Sequence, residues 1–353
     1  MGGGTRVPAG LRFRYHVLLQ RPGVSSMAGK ASGTARRQRL TVEQRRERHD
    51  ALVAKLADAV AALATETGWM RYLRAVSTLR EYSPSNQMLI LQQRPNATRV
   101  AGYRAWQSLG RQVRAGSKAI WIFGYATRTR RPDEPVDDGS DPVAPTGQDG
   151  LPTRVYFPLV KVFDISDTDG PDISGPVTAF IGTGDDMTSA ADRVIQDVTG
   201  WLTTTGWTVA RERLAGGVRG YTDHAGQRIA LAADADPSEA ARVLLHEACH
   251  GVLHGPGSPY VTSAQYAASR RHRGVAEVQA DGAAFVLADH LGLDTLHAAT
   301  GYVAGWASAA AGNTDPQALA EVIRTAASAV HHAVCTITDG LTTLHAAPPA
   351  IAS

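Results

Sequence analysis

The sequence predicts an α+β fold in two parts. A mixed helix-and-sheet half comes first, and a second half is organised round one buried helix carrying His-Glu-x-x-His. Three observations carry this expectation. Residues 1–131 hold 24 Lys/Arg against 6 Asp/Glu, and the remainder holds 12 against 27, so the chain is split between a basic and an acidic half. Stretches with apolar residues at helical spacing alternate with short β-branched and aromatic runs. The length of 353 residues is enough for two domains, each with its own core.

Composition narrows the class of protein. No run approaches the ~20 apolar residues of a membrane span. Two cysteines, Cys249 and Cys335, make no disulfide framework and point to a reducing, cytoplasmic setting. A basic half facing an acidic one points to a polyanionic partner for the first and not for the second.

Residues 1–39 contain no acidic residue and little apolar periodicity, and read as a disordered basic arm. Leu11–Leu19 is interrupted by Arg12, Arg14 and His16, a poor signal-peptide core, and Met27 is an alternative start to Met1. Thr41-Val42-Glu43-Gln44 resembles a capping box, and Leu52, Leu56, Ala59, Val60 and Leu63 form the stripe of the helix that follows. A second helix is expected from Trp69 to Leu79, and a third from Asn86, halted near Pro95.

Ala119–Tyr125 reads as a buried strand and Arg154–Asp164 as its partner. Residues 127–153, rich in Asp, Pro and Gly, then form a flexible acidic insertion inside the first domain. The domain boundary falls in 167–176, giving a first domain over 40–168 and a second over 169–345.

Ser189–Thr205 is helical in pattern, and Gly220–Asp223 with Gln227–Leu231 supplies strands leading into the central helix. That helix starts strongly, with Asp236 as N-cap, Pro237 at N1 and Glu239 at N3. Within Val243–His254, His246 and His250 lie four apart, on one helical face, where two imidazoles reach one zinc ion. Glu247 projects beside them as general base toward a water at the ion. Gly251 offers a place for the helix to loosen. His254 lies eight residues from His246, about 12 Å of helical rise, too far to share the ion unless the helix ends at Gly251.

The third ligand is sought on the next helix, where Glu277 and Asp281 share one face with Ala280 and Ala284. Glu277 is assigned as ligand and Asp281 as the group that orients a histidine, with Asp281 also open as an alternative ligand. The order of helix, strands, metal helix and ligand helix is the layout of a zincin-like metallopeptidase domain. Asp315-Pro316 begins a last helix, on which His331 and His332 read as surface residues. Tyr302 is a candidate oxyanion stabiliser, with core packing as its alternative.

Four ordered motifs now carry a resemblance. Tyr82-Ser83-Pro84-Ser85-Asn86-Gln87-Met88-Leu89, Val100-Ala101-Gly102-Tyr103-Arg104-Ala105-Trp106, Gly110–Lys118 and Val162-Phe163-Asp164 resemble the N-terminal single-stranded DNA-binding domain of ArdC-type antirestriction proteins. In that family a metallopeptidase-like domain follows, similar to ImmA/IrrE-type and Spartan-type proteases, which often have Glu where this chain has Asp281. The choice between Glu277 and Asp281 therefore stays open. The resemblance implies that residues 40–168, Asn86 among them, meet single-stranded DNA.

The residues themselves suit that partner. Tyr82, Tyr103, Trp106 and Trp121 offer rings on which unpaired bases stack, with core packing as the alternative for the two tryptophans. Arg104, Arg111, Arg114 and Lys118 are cations for the phosphates, and no recognition-helix signature suggests a duplex reader. The expectation is a zinc metallopeptidase that cuts a DNA-bound protein in an antirestriction or DNA-protection role. Its alternative is a non-enzymatic factor that shields single strands, its metal domain idle or structural. A third reading is a peptidase that cleaves a repressor.

Overall fold

In the computed structural model, which describes residues 41–129, 143–144, 153–173, 189–268, 270–293 and 316–346, the capping box at Thr41 is formed. Its hydroxyl accepts from the Gln44 N–H and the Gln44 side chain accepts from the Thr41 N–H, both at 3.1 Å. Helix α1 (Val42–Ala62) follows, with Leu52, Ala59, Val60 and, just beyond it, Leu63 buried. Helices α2 (Glu66–Val76) and α3 (Pro84–Gln93) come next, each begun by a hydroxyl cap at Thr65 or Ser83. The rest of the N-terminal part is β1 (Val100–Gly102), α4 (Tyr103–Ser108), β2 (Gln112–Val113), β3 (Ile120–Phe123), β4 (Ala126–Thr129), β5 (Val143–Ala144), β6 (Thr153–Tyr156), β7 (Leu159–Asp164) and β8 (Thr168–Asp169).

The expected pairing of the Ile120 strand with the later one holds, since β3 and β7 are antiparallel with Trp121 opposite Lys161. Two expectations are corrected. The single strand over 154–164 is broken at Phe157-Pro158 into β6 and β7, because proline has no N–H to give the ladder. The acidic insertion is not all loop: β4 and β6 pair across its base and β5 joins β6. Its other residues, like the basic arm and Tyr302, lie outside the described residues. Residues 168–169 pair with β2, so the N-terminal part extends to the start of the expected boundary segment.

Strand β3 is the edge of the sheet β1-β7-β3. An open edge invites pairing with another chain, and here two side-chain amides close it. Trp121 N–H donates to Gln93 Oε1 (3.1 Å) while Gln93 Nε2 donates to the Trp121 carbonyl (2.8 Å). Phe123 N–H donates to Asn86 Oδ1 (3.0 Å) while Asn86 Nδ2 donates to the Phe123 carbonyl (2.8 Å). Asn86 and Gln93 lie seven residues apart on α3, about two turns, and meet strand residues two apart. One face of α3 thus imitates a neighbouring strand.

The C-terminal part runs α5 (Ala190–Thr204), β9 (Thr208–Glu212), β10 (Gly220–Asp223), β11 (Arg228–Ala232), α6 (Pro237–Leu253), α7 (Ser263–Ala268), α8 (Arg270–His290) and α9 (Pro316–Ala346). Its sheet has the order β10-β11-β9, with β11 parallel to β9 and antiparallel to β10. Residues 229–232 of the central strand are almost wholly buried, in keeping with its continuous apolar run. The helix α6 does not loosen at Gly251. It continues to Leu253, and the glycine there makes room for Trp207, whose ring lies 3.4 Å from where a Cβ would be.

The main buried cluster draws on both parts, from Val60 and Leu73 through Val198 and Leu244 to Val330, with a small separate cluster of Ala232, Ala235 and Ala240. Gly282 of α8 sits where the parts meet, since a Cβ there would lie 2.9 Å from Val330 and 3.4 Å from Leu73. His331 is not a surface residue. It is 7 % exposed and its Nε2 lies 3.0 Å from the Arg80 carbonyl, while burial holds its pKa below the ordinary value. His332 is half-buried, and Cys249 and Cys335 are both free thiols. Among the described residues no helix is long and apolar enough to cross a membrane.

Replacing Asn86 or Gln93 by alanine leaves a backbone donor and acceptor of β3 without these partners. Each substitution is expected to cost about 1–3 kcal/mol in urea unfolding, and a loss well under 0.5 kcal/mol would show that the edge needs no such cover.

Candidate functional site

The site begins with the start of α6. Asp236 accepts from the Glu239 N–H at 2.9 Å, and Glu239 takes both ends of the Arg219 guanidinium at 2.6 Å each. That fork ties the approach to β10 to the first turn of α6. Gly220 lets the strand come close, because a Cβ there would lie 2.4 Å from Val243 and 3.2 Å from Glu247. Thr222 is thereby brought over Glu247, and its hydroxyl lies 2.7 Å from Glu247 Oε2 and 2.9 Å from the Glu247 carbonyl.

His246 and His250 present their Nε2 atoms to each other at 3.0 Å. Glu277 Oε2, from α8, lies 3.4 Å from the first and 3.6 Å from the second. Among the described residues these three are the group of potential ligands whose atoms all fall within 4.8 Å of one another. Two imidazoles and a carboxylate converging in this way suit a divalent cation.

The opposite ring nitrogens test that fit. His246 Nδ1 lies 2.9 Å from Asp281 Oδ1, so its proton is held there and Nε2 keeps its lone pair for the cluster. His250 Nδ1 lies 2.9 Å from His254 Nδ1, and His254 Nε2 lies 2.9 Å from Gln279 Oε1. A proton on His250 Nδ1 and another on His254 Nε2 satisfy this chain in one direction, again leaving His250 Nε2 free to ligate. Glu277 Oε1 accepts from the Tyr266 hydroxyl at 2.7 Å, which turns Oε2 toward the histidines. The donors are arranged as a cation would need them.

The electrostatics agree. Burial opposes a charge on His246, but its hydrogen bonds to Asp281 and Glu277 outweigh it and hold the ring up at about 10. Burial would raise Glu277, yet the two histidines hold it well below the usual carboxylate range. His254, 1 % exposed, is pushed down to about 4, first by burial and then by His250, so it stays neutral within its chain. The group opens into a cavity lined also by Thr222, His224 and Tyr266. Among the described residues His224 Nδ1 is buried without a partner, and its ring packs edge-on against Trp207.

Sequence reasoning brought His246, Glu247, His250, Glu277 and Asp281 to this place. It missed Thr222, Tyr266 and Gln279, which no spacing rule singles out. It set His254 aside as a ligand, and the structure puts that ring behind His250. The burial of His254 follows from its place on the same face as the other two histidines, a signal that was present.

The proposed DNA contacts divide differently. Trp106 is 1 % exposed and donates to the Phe163 carbonyl at 2.9 Å, so it is core and unavailable for stacking. Tyr82 donates to the Val100 carbonyl at 2.6 Å, and burial pushes its hydroxyl up to about 12. Asn86 closes the β3 edge. Arg111 holds Thr168, Gly170 and Pro171, and Arg114 pairs with Asp169 at 2.9 Å, so both fasten the turn after β7. Tyr103 (43 % exposed), Arg104 and Lys118 remain at the surface.

Residues 43–163 match the family described as the N-terminal domain of anti-restriction factor ArdC. Two solved structures align with the chain, both of the antirestriction protein ArdC from the R388 plasmid. The metal-free form aligns with a TM-score of 0.44 at 19 % identity over 74 % of this chain and 86 % of that one. The Mn(II)-bound form gives 0.43 at 19 % identity over 74 % and 85 %. No curated protein matches the chain in sequence.

Calorimetric titration with zinc should find one stoichiometric site, abolished by His246→Ala or His250→Ala. Gln279→Leu and Asp281→Asn leave the three donors in place but loosen a ring, and each should weaken binding about 10- to 100-fold. Glu277→Ala should weaken it more than Asp281→Asn, and the reverse order would assign the third donor to Asp281.

Proposed function

We propose, from the match of residues 43–163 to the N-terminal domain of anti-restriction factor ArdC, that the chain is a zinc-dependent peptidase of ArdC type that works on proteins bound to single-stranded DNA. The observation that carries the peptidase reading is the convergence of His246, His250 and Glu277 within 4.8 Å, with Glu247 beside them on α6. His246 Nε2, His250 Nε2 and a Glu277 oxygen would hold the ion. A zinc ion there would polarise the scissile carbonyl and make a nearby water more acidic.

The remaining chemistry belongs to the protein. Glu247 is 8 % exposed and has one carboxylate oxygen engaged by Thr222, which fixes its rotamer. Its other oxygen is the base that takes a proton from the attacking water and returns it to the leaving amine. The tight donor chains behind both histidines keep their ligating atoms aimed at one point. Charge supports the DNA half of the reading: the 24 Lys/Arg against 6 Asp/Glu in residues 1–131 suit a phosphate backbone. An antirestriction or DNA-protection role follows from that pairing of binding and cleavage.

The test is cleavage of a protein loaded on single-stranded DNA by the zinc-loaded full chain. Glu247→Gln should retain the metal and lose at least about 100-fold in rate. Equal cleavage by wild type and Glu247→Gln would remove the peptidase assignment. Absence of cleavage by the zinc-loaded wild type would leave shielding of the strand as the function.

A further inference from the structure

The sheet of the N-terminal part has a face that none of the DNA contacts expected from the 82–118 motifs uses. Strand pairing shows how it is built. Trp121 opposes Lys161 and Phe123 opposes Leu159 in β3–β7, while Ala126 opposes Tyr156 in β4–β6. The two ladders share one register across Gly124 and Pro158, where the Gly124 N–H donates to the Pro158 carbonyl at 2.7 Å. Side chains two apart on such a ribbon lie on one side. Trp121, Phe123 and Tyr125 therefore form a row on one strand, with Lys161, Leu159 and Phe157 opposite them.

The other side of the same strands carries Ile120, Ile122 and Val162, all buried in the core. Trp121 and Phe123 are half-buried beside α1, and the far end of the row is exposed. Tyr125 is 57 % and Phe157 52 % exposed, and their rings meet edge-to-face at 6.2 Å. Two exposed apolar rings at one point cost solvation that folding alone does not require.

The cations are placed unusually. Lys161 Nζ lies 4.8 Å from the centre of the Trp121 ring and Arg48 Cζ, from α1, lies 5.5 Å from it. Both side chains are exposed, and among the described residues neither is paired with a carboxylate. Both cations are therefore available to an anion beside the Trp121 ring. An aromatic row with spacing of about 6.6 Å, flanked by unneutralised cations, matches a chain that alternates flat rings with negative charges.

We propose that single-stranded DNA lies along this face, its bases stacked on Trp121, Tyr125 and Phe157 and its phosphates held by Lys161 and Arg48. Phe123, whose ring meets His49 edge-on at 5.5 Å, joins the row to α1. This rests on the DNA-binding half of the function proposed above and relocates the contact from the 82–118 motifs to the outer face of β3 and β7.

The test uses the full chain and a fluorescein-labelled oligothymidylate, with anisotropy read over a series of salt concentrations. Tyr125→Ala and Phe157→Ala, at exposed positions that leave the core intact, should each weaken binding about 5- to 150-fold, the value of one stacked base. Trp121→Ala should do the same, checked by a thermal melt because that ring is half-buried. Arg48→Gln with Lys161→Gln should reduce the slope of log K against log[salt] by about 1.4, with smaller loss at high salt. A control pair, Arg104→Gln with Lys118→Gln, should keep the stacking contribution intact. Wild-type binding to the oligonucleotide with unchanged affinity and slope in the face variants would overturn this surface while leaving DNA binding itself in place. Failure of the wild type to bind at low salt would overturn both.

Discussion

The closeness of α6 and α8 is the constraint on which the rest of the structure depends. Glu277 and Asp281, four apart on α8, reach opposite nitrogens of the same His246 ring, at 3.4 and 2.9 Å. That is possible only if the helix backbones nearly touch, and small side chains permit it: Ala276, Ala280 and Ala283 of α8 and Ala248 of α6 are fully buried. On its other side α8 carries Gly282 against Leu73 and Val330, so the helix holding Glu277 is wedged between α6 and the N-terminal helices. The site and the N-terminal part are thus in direct packing contact through α8.

The two histidines are oriented by different chemistry. His246 is held by a carboxylate, and its ring is charged up to about pH 10 when no cation competes for it. His250 is held by a neutral chain through His254 to Gln279, where burial excludes charge. A charged partner on both rings would place two further carboxylates beside Glu277 and Glu247, and their mutual repulsion would work against the cluster. A buried neutral relay avoids that cost and still fixes the tautomer.

Much of this was legible in the residues. His246, Glu247 and His250 declare themselves by a spacing that only a helix makes useful, and Asp236, Pro237 and Glu239 announce where that helix begins. Glu277 could be found because its neighbours are small. Thr222 and Tyr266 could not, since a hydroxyl is chosen by where a strand or a short helix passes, and local sequence does not encode the passing distance. Strand β9 was missed because its half-buried, mixed pattern resembles a loop until β11 pairs with it in parallel. Motifs in the N-terminal part were recognised as a family pattern, and several of their residues also hold the fold together. Asn86, Trp106, Arg111 and Arg114 recur in that pattern with evident structural tasks here, closing an edge, filling a core and fastening a turn. Trp121, which the sequence offered as a stacking ring, lies beside Lys161 and Arg48, neither of which pairs with a carboxylate among the described residues.

The central claim is that His246, His250 and Glu277 form one zinc site. Crystals of the full chain grown with zinc, measured on both sides of the zinc absorption edge, test it most directly. The account predicts a single strong anomalous peak at about 2.0–2.2 Å from His246 Nε2, His250 Nε2 and a Glu277 carboxylate oxygen, with Asp281 still on His246 Nδ1. A peak bonded to Asp281 or His254 instead, or no peak between the histidines, would contradict it.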